Sequence, residues 1–102
     1  MAVAYDEARR RLGPEMIVGV ACATRDDAIT VAENGADYVA FGDFDAAAPT
    51  AETLDLVQWW SALMTVPCVA APGATPAARA ALAGADADFV ALRLEARPDS
   101  PP

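Results

Sequence analysis

The sequence predicts an α/β fold built on a parallel sheet, and three observations predict it. Short apolar runs alternate with helix signals from one end of the 102 residues to the other. Threonine stands before three of the helical segments, at Thr24, Thr50 and Thr75, where its hydroxyl oxygen can accept from exposed amides of the first turn. Finally, Gly35-Ala36-Asp37-Tyr38-Val39-Ala40 is echoed about fifty residues later by Ala85-Asp86-Ala87-Asp88-Phe89-Val90-Ala91, each pairing a helix exit with an aromatic-led strand. Apolar strands joined by helical crossovers imply parallel pairing with right-handed connections. A repeat spanning two such units is what a (βα) barrel, or a piece of one, would show. An alanine-rich α/β layer with a chance echo is the competing reading.

Asp6 and Glu7 open a short helix that runs through Arg11 and stops at Gly13-Pro14. Met16 to Cys22 is a continuous apolar run, which suits a strand buried on both faces. Thr24 caps the next helix, with Asp26 and Asp27 in its first turn, where the macrodipole favours acids. Ala28, Ile29, Val31 and Ala32 form its apolar face, and Gly35 ends it in the left-handed position. Tyr38 to Gly42 is the second strand, and Asp43 to Pro49 a loop. Thr50 caps a third helix whose Leu54, Val57, Trp60, Leu63 and Met64 recur at helical spacing, until Val66-Pro67 ends it. Cys68 to Ala71 is a strand and Pro72-Gly73 a turn. Thr75 and Pro76 open the fourth helix as cap and first residue, Gly84 closes it, and Phe89 to Leu94 is the last strand. The tail, 96–102, carries three prolines and no apolar pattern, which predicts disorder.

Composition excludes several chemistries. Hydrophobic residues are 55% of the chain, enough for a core, although alanine is about a quarter of all positions and buries little area. There is no histidine, hence no Ser-His-Asp or Cys-His catalysis and no histidine metal site. All seven bases are arginine, so Schiff-base chemistry is out, and a net charge of −8 argues against nucleic acid or an anionic membrane as partner. The two cysteines, Cys22 and Cys68, sit in apolar runs, as buried reduced thiols do, and too few are present for a disulfide framework. With an amino terminus unlike a signal peptide and no apolar stretch long enough to span a bilayer, the expectation is a soluble, cytoplasmic protein.

Four segments in order resemble the thiamine-phosphate synthases. Ala8 to Pro14 running into Ile17-Val18-Gly19-Val20 looks like the approach to that family's fifth strand, followed by a similar Thr-x-x-x-Ala helix start at Thr24 to Ala28. Gly35 to Gly42 is the strongest match, to the sixth strand. Pro67 to Thr75 is similar to the seventh strand and its phosphate loop, and Trp59-Trp60 before it resembles a divergent bacterial subgroup. The resemblance implies a partial (βα)8 TIM barrel: a half-barrel of about four parallel strands with crossover helices over residues 1–95, corresponding to the second half of the family's barrel. It implies thiamine biosynthesis, in which a pyrimidine methyl diphosphate is coupled to thiazole phosphate with release of pyrophosphate, Mg2+ being held on the diphosphate. The related thiazole tautomerase is the alternative isomerase within the superfamily, and a non-catalytic phosphate-ligand or subunit-interaction module is the alternative of a different class.

Site residues follow from this resemblance, since barrel sites lie at the carboxyl ends of the strands. Gly73, Ala74 and Thr75 stand where the family turns amides onto a phosphate at a helix amino terminus, although Pro72 has no amide to give. Arg93, predicted at the end of the last strand, is a second phosphate candidate because its guanidinium forks onto such groups; an ion pair with Glu95 is the plainer role. Other positions depart from the family. Ala21 replaces a serine, and Asp43 to Thr50 replaces a threonine-rich loop with a lysine. Asp43 and Asp45 could suit magnesium or merely solvate a turn, and no magnesium ligand is identifiable. The family's magnesium carboxylates lie in its first four strands, which these residues do not match, so the isolated chain is expected to be inactive or weak. Four strands leave two unpaired edges, which a second copy (a homodimer) or a partner half-barrel would cover.

Overall fold

The computed structural model describes the backbone of residues 2–92 and side chains from Tyr5 onward. Four helices and four strands alternate: α1 (Ala2–Leu12), β1 (Gly19–Ala21), α2 (Arg25–Glu33), β2 (Tyr38–Phe41), α3 (Ala51–Leu63), β3 (Cys68–Ala70), α4 (Pro76–Gly84) and β4 (Phe89–Val90). The strands form one sheet in the order β1-β2-β3-β4, every neighbouring pair parallel. This is the α/β half-barrel arrangement that the sequence predicts. Because consecutive parallel strands are joined by right-handed crossovers, all the helices between them fall on one face. Val39, Phe41, Cys68 and Ala70 point to that face and are buried, whereas Tyr38, Ala40 and Val69 point away and are only partly covered.

Each predicted cap is present. The hydroxyls of Thr24, Thr50 and Thr75 accept from the amides of Asp27, Thr53 and Ala78 at 3.0–3.1 Å. Gly35 exits α2 at φ 102°, as predicted. Gly84, by contrast, does not close α4 in the left-handed position. It is the helix's last residue, and Asp86 takes that conformation at φ 69°, the place equivalent to Gly35 in the echo. An acidic side chain tolerates this region better than most.

The core forms between the sheet and α3. Trp60 is fully buried, donates its indole N–H to the Val66 carbonyl at 2.7 Å, and meets Phe41 edge-to-face with ring centroids 6.0 Å apart. Trp59 is half-buried and stacks under the Arg25 guanidinium, 4.8 Å from its ring centre, tying α3 to α2. Leu63, predicted on the apolar face, is 68% exposed because α3 ends there and its last turn overshoots the sheet. The buried polar position on α3 is Thr53, satisfied by Thr50.

The first strand is shorter than its apolar run and not buried on both faces. Gly19–Ala21 pair in register with β2, the Cys22 amide adds one bond to Ala40, Ala21 is exposed, and Ile17 is 77% exposed. The reason is position: β1 is an edge, so half of its backbone groups face open space. Among the described residues the fourth strand pairs at Phe89–Val90, with Ala91 adding one bond to Ala70. Arg93, Glu95 and the 96–102 tail lie outside the described residues.

Aspartates before the strands hold the sheet's amino-terminal edge. Asp37 accepts from the Val18 amide at 2.8 Å and from Arg9 at 2.9 Å, and Asp88 accepts from the Cys68 amide at 2.9 Å. Arg9 also donates to Tyr5 and to the carbonyls of Gly13, Met16 and Gly35, which clamps α1 beneath β1 and β2.

Two outcomes are expected. The Val18 amide, then the Arg9 guanidinium, hold the Asp37 carboxyl below the ordinary carboxylate range. Its contribution is therefore whole above the unfolded value of about 3.9 and is lost as pH falls through the lower folded value. Melting temperature should drop on acidification below about pH 4, and Asp37→Asn should lie lower at neutral pH and flatten that drop; coincident profiles would refute the clamp. Trp60→Ala should cost about 3–5 kcal/mol in denaturant titration, enough to unfold a small domain.

Candidate functional site

The carboxyl ends of β1, β2 and β3 open into a cleft of about 330 Å³. Its floor is Ala21 and Cys22 after β1, Gly42 after β2, and Ala71-Pro72 after β3; the Asp43–Pro49 loop and the start of α3 form its wall. Gly42 has a conformational reason to be there. It turns the chain at φ 104°, and a side-chain carbon at that position would strike the Ala71 carbonyl oxygen, so only glycine lets β2 leave the sheet this close to β3. The Ala71–Pro72 peptide is cis.

The lining is chemically quiet. Ala21 offers no hydroxyl, and Thr50 spends its own on Thr53, donating to the Thr53 hydroxyl while accepting from its amide. Burial pushes the Cys22 thiol up to about 11, with the Asp27 carboxylate adding to the shift, so it stays protonated and is a poor nucleophile at neutral pH. Asp43 accepts from the Asp45 amide at 2.8 Å, closing a short turn. Among the described residues no group of three or more Cys, Asp or Glu side chains is placed to hold a metal ion.

Beside the cleft lies the turn from β3 into α4. Gly73 is buried, and its amide donates to the Ala91 carbonyl at 2.8 Å. That bond extends the β3–β4 ladder as the Cys22 amide extends β1–β2 by donating to Ala40, also at 2.8 Å. Gly73 is therefore needed for space, since a side-chain carbon there would collide with Val90. Ala74 and Thr75 are exposed residues, and among the described residues their amides have no backbone acceptor. Of the predicted phosphate residues, then, Ala74 and Thr75 present free donors at a helix amino terminus, whereas Gly73 does not; Arg93 is outside the described residues.

A residue that the motifs did not single out stands at this turn. Arg79, one turn into α4, donates back to the Gly73 carbonyl at 2.8 Å. Among the described residues the other arginines are engaged: Arg9 with Asp37, Arg10 and Arg11 with Glu7, Arg25 with Trp59. Arg79 has no carboxylate or ring partner there. The signal in the sequence was its spacing, four residues after the Thr75 cap, which returns a long side chain to the helix start.

Comparison with known proteins agrees with this geometry. Residues 2–95 match the family model described as thiamine monophosphate synthase. The chain is 46% identical over 96 residues to the thiamine-phosphate synthase of Erythrobacter litoralis, covering 84% of this chain and 44% of that protein. It is 43% identical over 93 residues to that of Rhodospirillum centenum, covering 86% and 45%. The thiamine-phosphate synthase of Thiobacillus denitrificans is 41% identical over 100 residues, covering 93% and 47%. The chain thus spans less than half the length of the curated relatives it matches. The sequence resemblance, the parallel half-barrel and a cleft at the strands' carboxyl ends converge, and the chain belongs to the thiamine monophosphate synthase family.

Proposed function

We propose that this chain supplies the phosphate-holding side of a thiamine-phosphate synthase site, the side that takes thiazole phosphate. The observation that carries the reading is the β3–α4 turn: exposed Ala74 and Thr75 at the start of α4, whose amides have no backbone acceptor among the described residues, with the guanidinium of Arg79 held against the same turn by its bond to the Gly73 carbonyl. An anion placed there gains from the amides, the helix dipole and the fork of the arginine together. Arg93, the other candidate of the sequence, lies outside the described residues. The adjoining cleft accommodates an aromatic ring on Ala21, Ala71 and Pro72, so the ring and its phosphate tail lie across one strand end.

In the parent reaction the departing diphosphate leaves a pyrimidine cation that the thiazole nitrogen captures, which asks for positioning and charge stabilisation rather than a histidine base. Magnesium, when bound, would supply that charge stabilisation on the diphosphate. Alone, the chain is expected to turn over weakly or not at all. No helix among the described residues is long and apolar enough to cross a membrane, and two buried free thiols support a cytoplasmic setting. The mostly apolar lining of the cleft favours, as a second reading, a module that binds a phosphorylated ligand without catalysis.

Titration calorimetry of the purified chain should show thiazole phosphate binding, and Arg79→Met should weaken it roughly tenfold, the loss of about one charge-assisted hydrogen bond, without lowering the melting temperature. Absence of any heat with both thiazole phosphate and pyrophosphate would sink the reading. Binding without formation of thiamine phosphate, when pyrimidine diphosphate and Mg2+ are added, would favour the non-catalytic module.

A further inference from the structure

We propose that two copies of this chain close one eight-stranded ring, the β4 edge of each pairing in parallel with the β1 edge of the other, Val90 opposite Val18 of the second copy. The argument rests on the internal repeat, whose register the structure makes explicit. The segments α1-β1-α2-β2 and α3-β3-α4-β4 are two turns of one pattern. Asp37 takes the Val18 amide as Asp88 takes the Cys68 amide. Cys22 donates to Ala40 as Gly73 donates to Ala91. Gly35 and Asp86 leave their helices in the same left-handed conformation, and α1 packs on α2 as α3 packs on α4.

In that correspondence β4 is the counterpart of β2, and β1 the counterpart of β3. The junction between β2 and β3 is therefore a template for the two free edges. There Val39 lies opposite Cys68, the Val39 amide donates to the Pro67 carbonyl at 3.1 Å, and the Ala71 amide donates to the Phe41 carbonyl at 3.0 Å. Carried across, Val90 replaces Val39 and Val18 replaces Cys68. The Val90 amide would then donate to the carbonyl of Ile17 of the second copy, and that copy's Ala21 amide would donate to the Leu92 carbonyl.

The polarity of the edges agrees. Ala91 exchanges its bonds with β3, donating to Ala70 and accepting from Gly73, so by the alternation of a parallel strand Val90 and Leu92 present theirs to the open side. On β1 the Val18 and Cys22 amides are turned toward β2 and its flank, which leaves Gly19 and Ala21 facing out.

A second copy is the occupant that this geometry specifies, because each chain carries both halves of the same seam. Such a head-to-tail contact makes a closed ring when its rotation closes, and four strands from each of two copies would bring that ring to eight. The new seams continue a ladder already unbroken from β1 to β4. Eight is the strand number whose interior side chains just fill the barrel, and the uncovered face offers Tyr38, Val69 and Phe89 as filling. Three of the large apolar side chains left in water also lie at the two edges: Ile17 is 77% exposed, Phe89 61% and Leu92 45%. The assembly is independent of the phosphate reading and can fail without it.

Light scattering on the 102-residue chain should give twice the 10.5 kDa chain mass. In the double variant Val18→Cys/Val90→Cys, oxidation should yield a covalent dimer on non-reducing gels, whereas Val18→Cys/Phe89→Cys, with the second thiol on the opposite face, should not. Val90→Pro, lacking the seam's donor, should run at half the wild-type mass. A folded or unfolded monomer at high micromolar concentration would overturn the proposal and leave the edges to a partner of different sequence. Open-ended polymers, or cross-linking in the Phe89 pair and not the Val90 pair, would overturn it as well.

Discussion

The constraint on which this molecule depends is the consecutive parallel order of its four strands. Each crossover must turn right-handed, so every connecting helix packs on the same face. One face of the sheet then becomes a core, with Trp60, Phe41, Cys68 and Leu82 fully buried, and the other becomes a surface lined by partly covered Tyr38, Ala40 and Val69. The same order gathers all the strand carboxyl ends on one rim, where a cleft forms from loops rather than from the strands themselves. Architecture and site location are thus two consequences of one topological fact.

Opposite rims of the sheet do different work. At the amino-terminal rim, Asp37 and Asp88 each take the amide of the strand before, and Arg9 reaches five acceptors on α1, the loops and Asp37. These bonds join elements. At the carboxyl-terminal rim the capping threonines are satisfied locally, and among the described residues the Ala74 and Thr75 amides have no backbone acceptor, with Arg79 beside them. A chain of net charge −8 can still attract a phosphate there, because fixed dipoles and one cation act at a few ångströms while dispersed acids are screened.

Repetition explains several features that looked unrelated in the sequence. The aspartate before each aromatic-led strand is a strand tie, the residue at the helix exit before it is left-handed, and the amide two residues before the Thr24 and Thr75 caps (Cys22, Gly73) extends a ladder. Gly73 shows how a motif can mislead. Its place in a phosphate-loop resemblance suggests a donor, but its amide is already committed to Ala91 and its small size serves packing against Val90.

The sequence by itself determined the order of elements, the three threonine caps, the left-handed Gly35, the buried tryptophan on α3 and the family. These are local or periodic properties, set within a turn of helix or a few residues of strand. Only the tertiary structure decided where strands end, because pairing needs a neighbour: the run from Met16 to Cys22 narrows to Gly19–Ala21 at an edge. It also decided that Asp86 rather than Gly84 turns out of α4, and that Asp37 serves two donors from distant segments. Arg79 entered the site for the same reason. Its role depends on a carbonyl six residues away brought back by the turn, a three-dimensional coincidence that composition and periodicity do not encode.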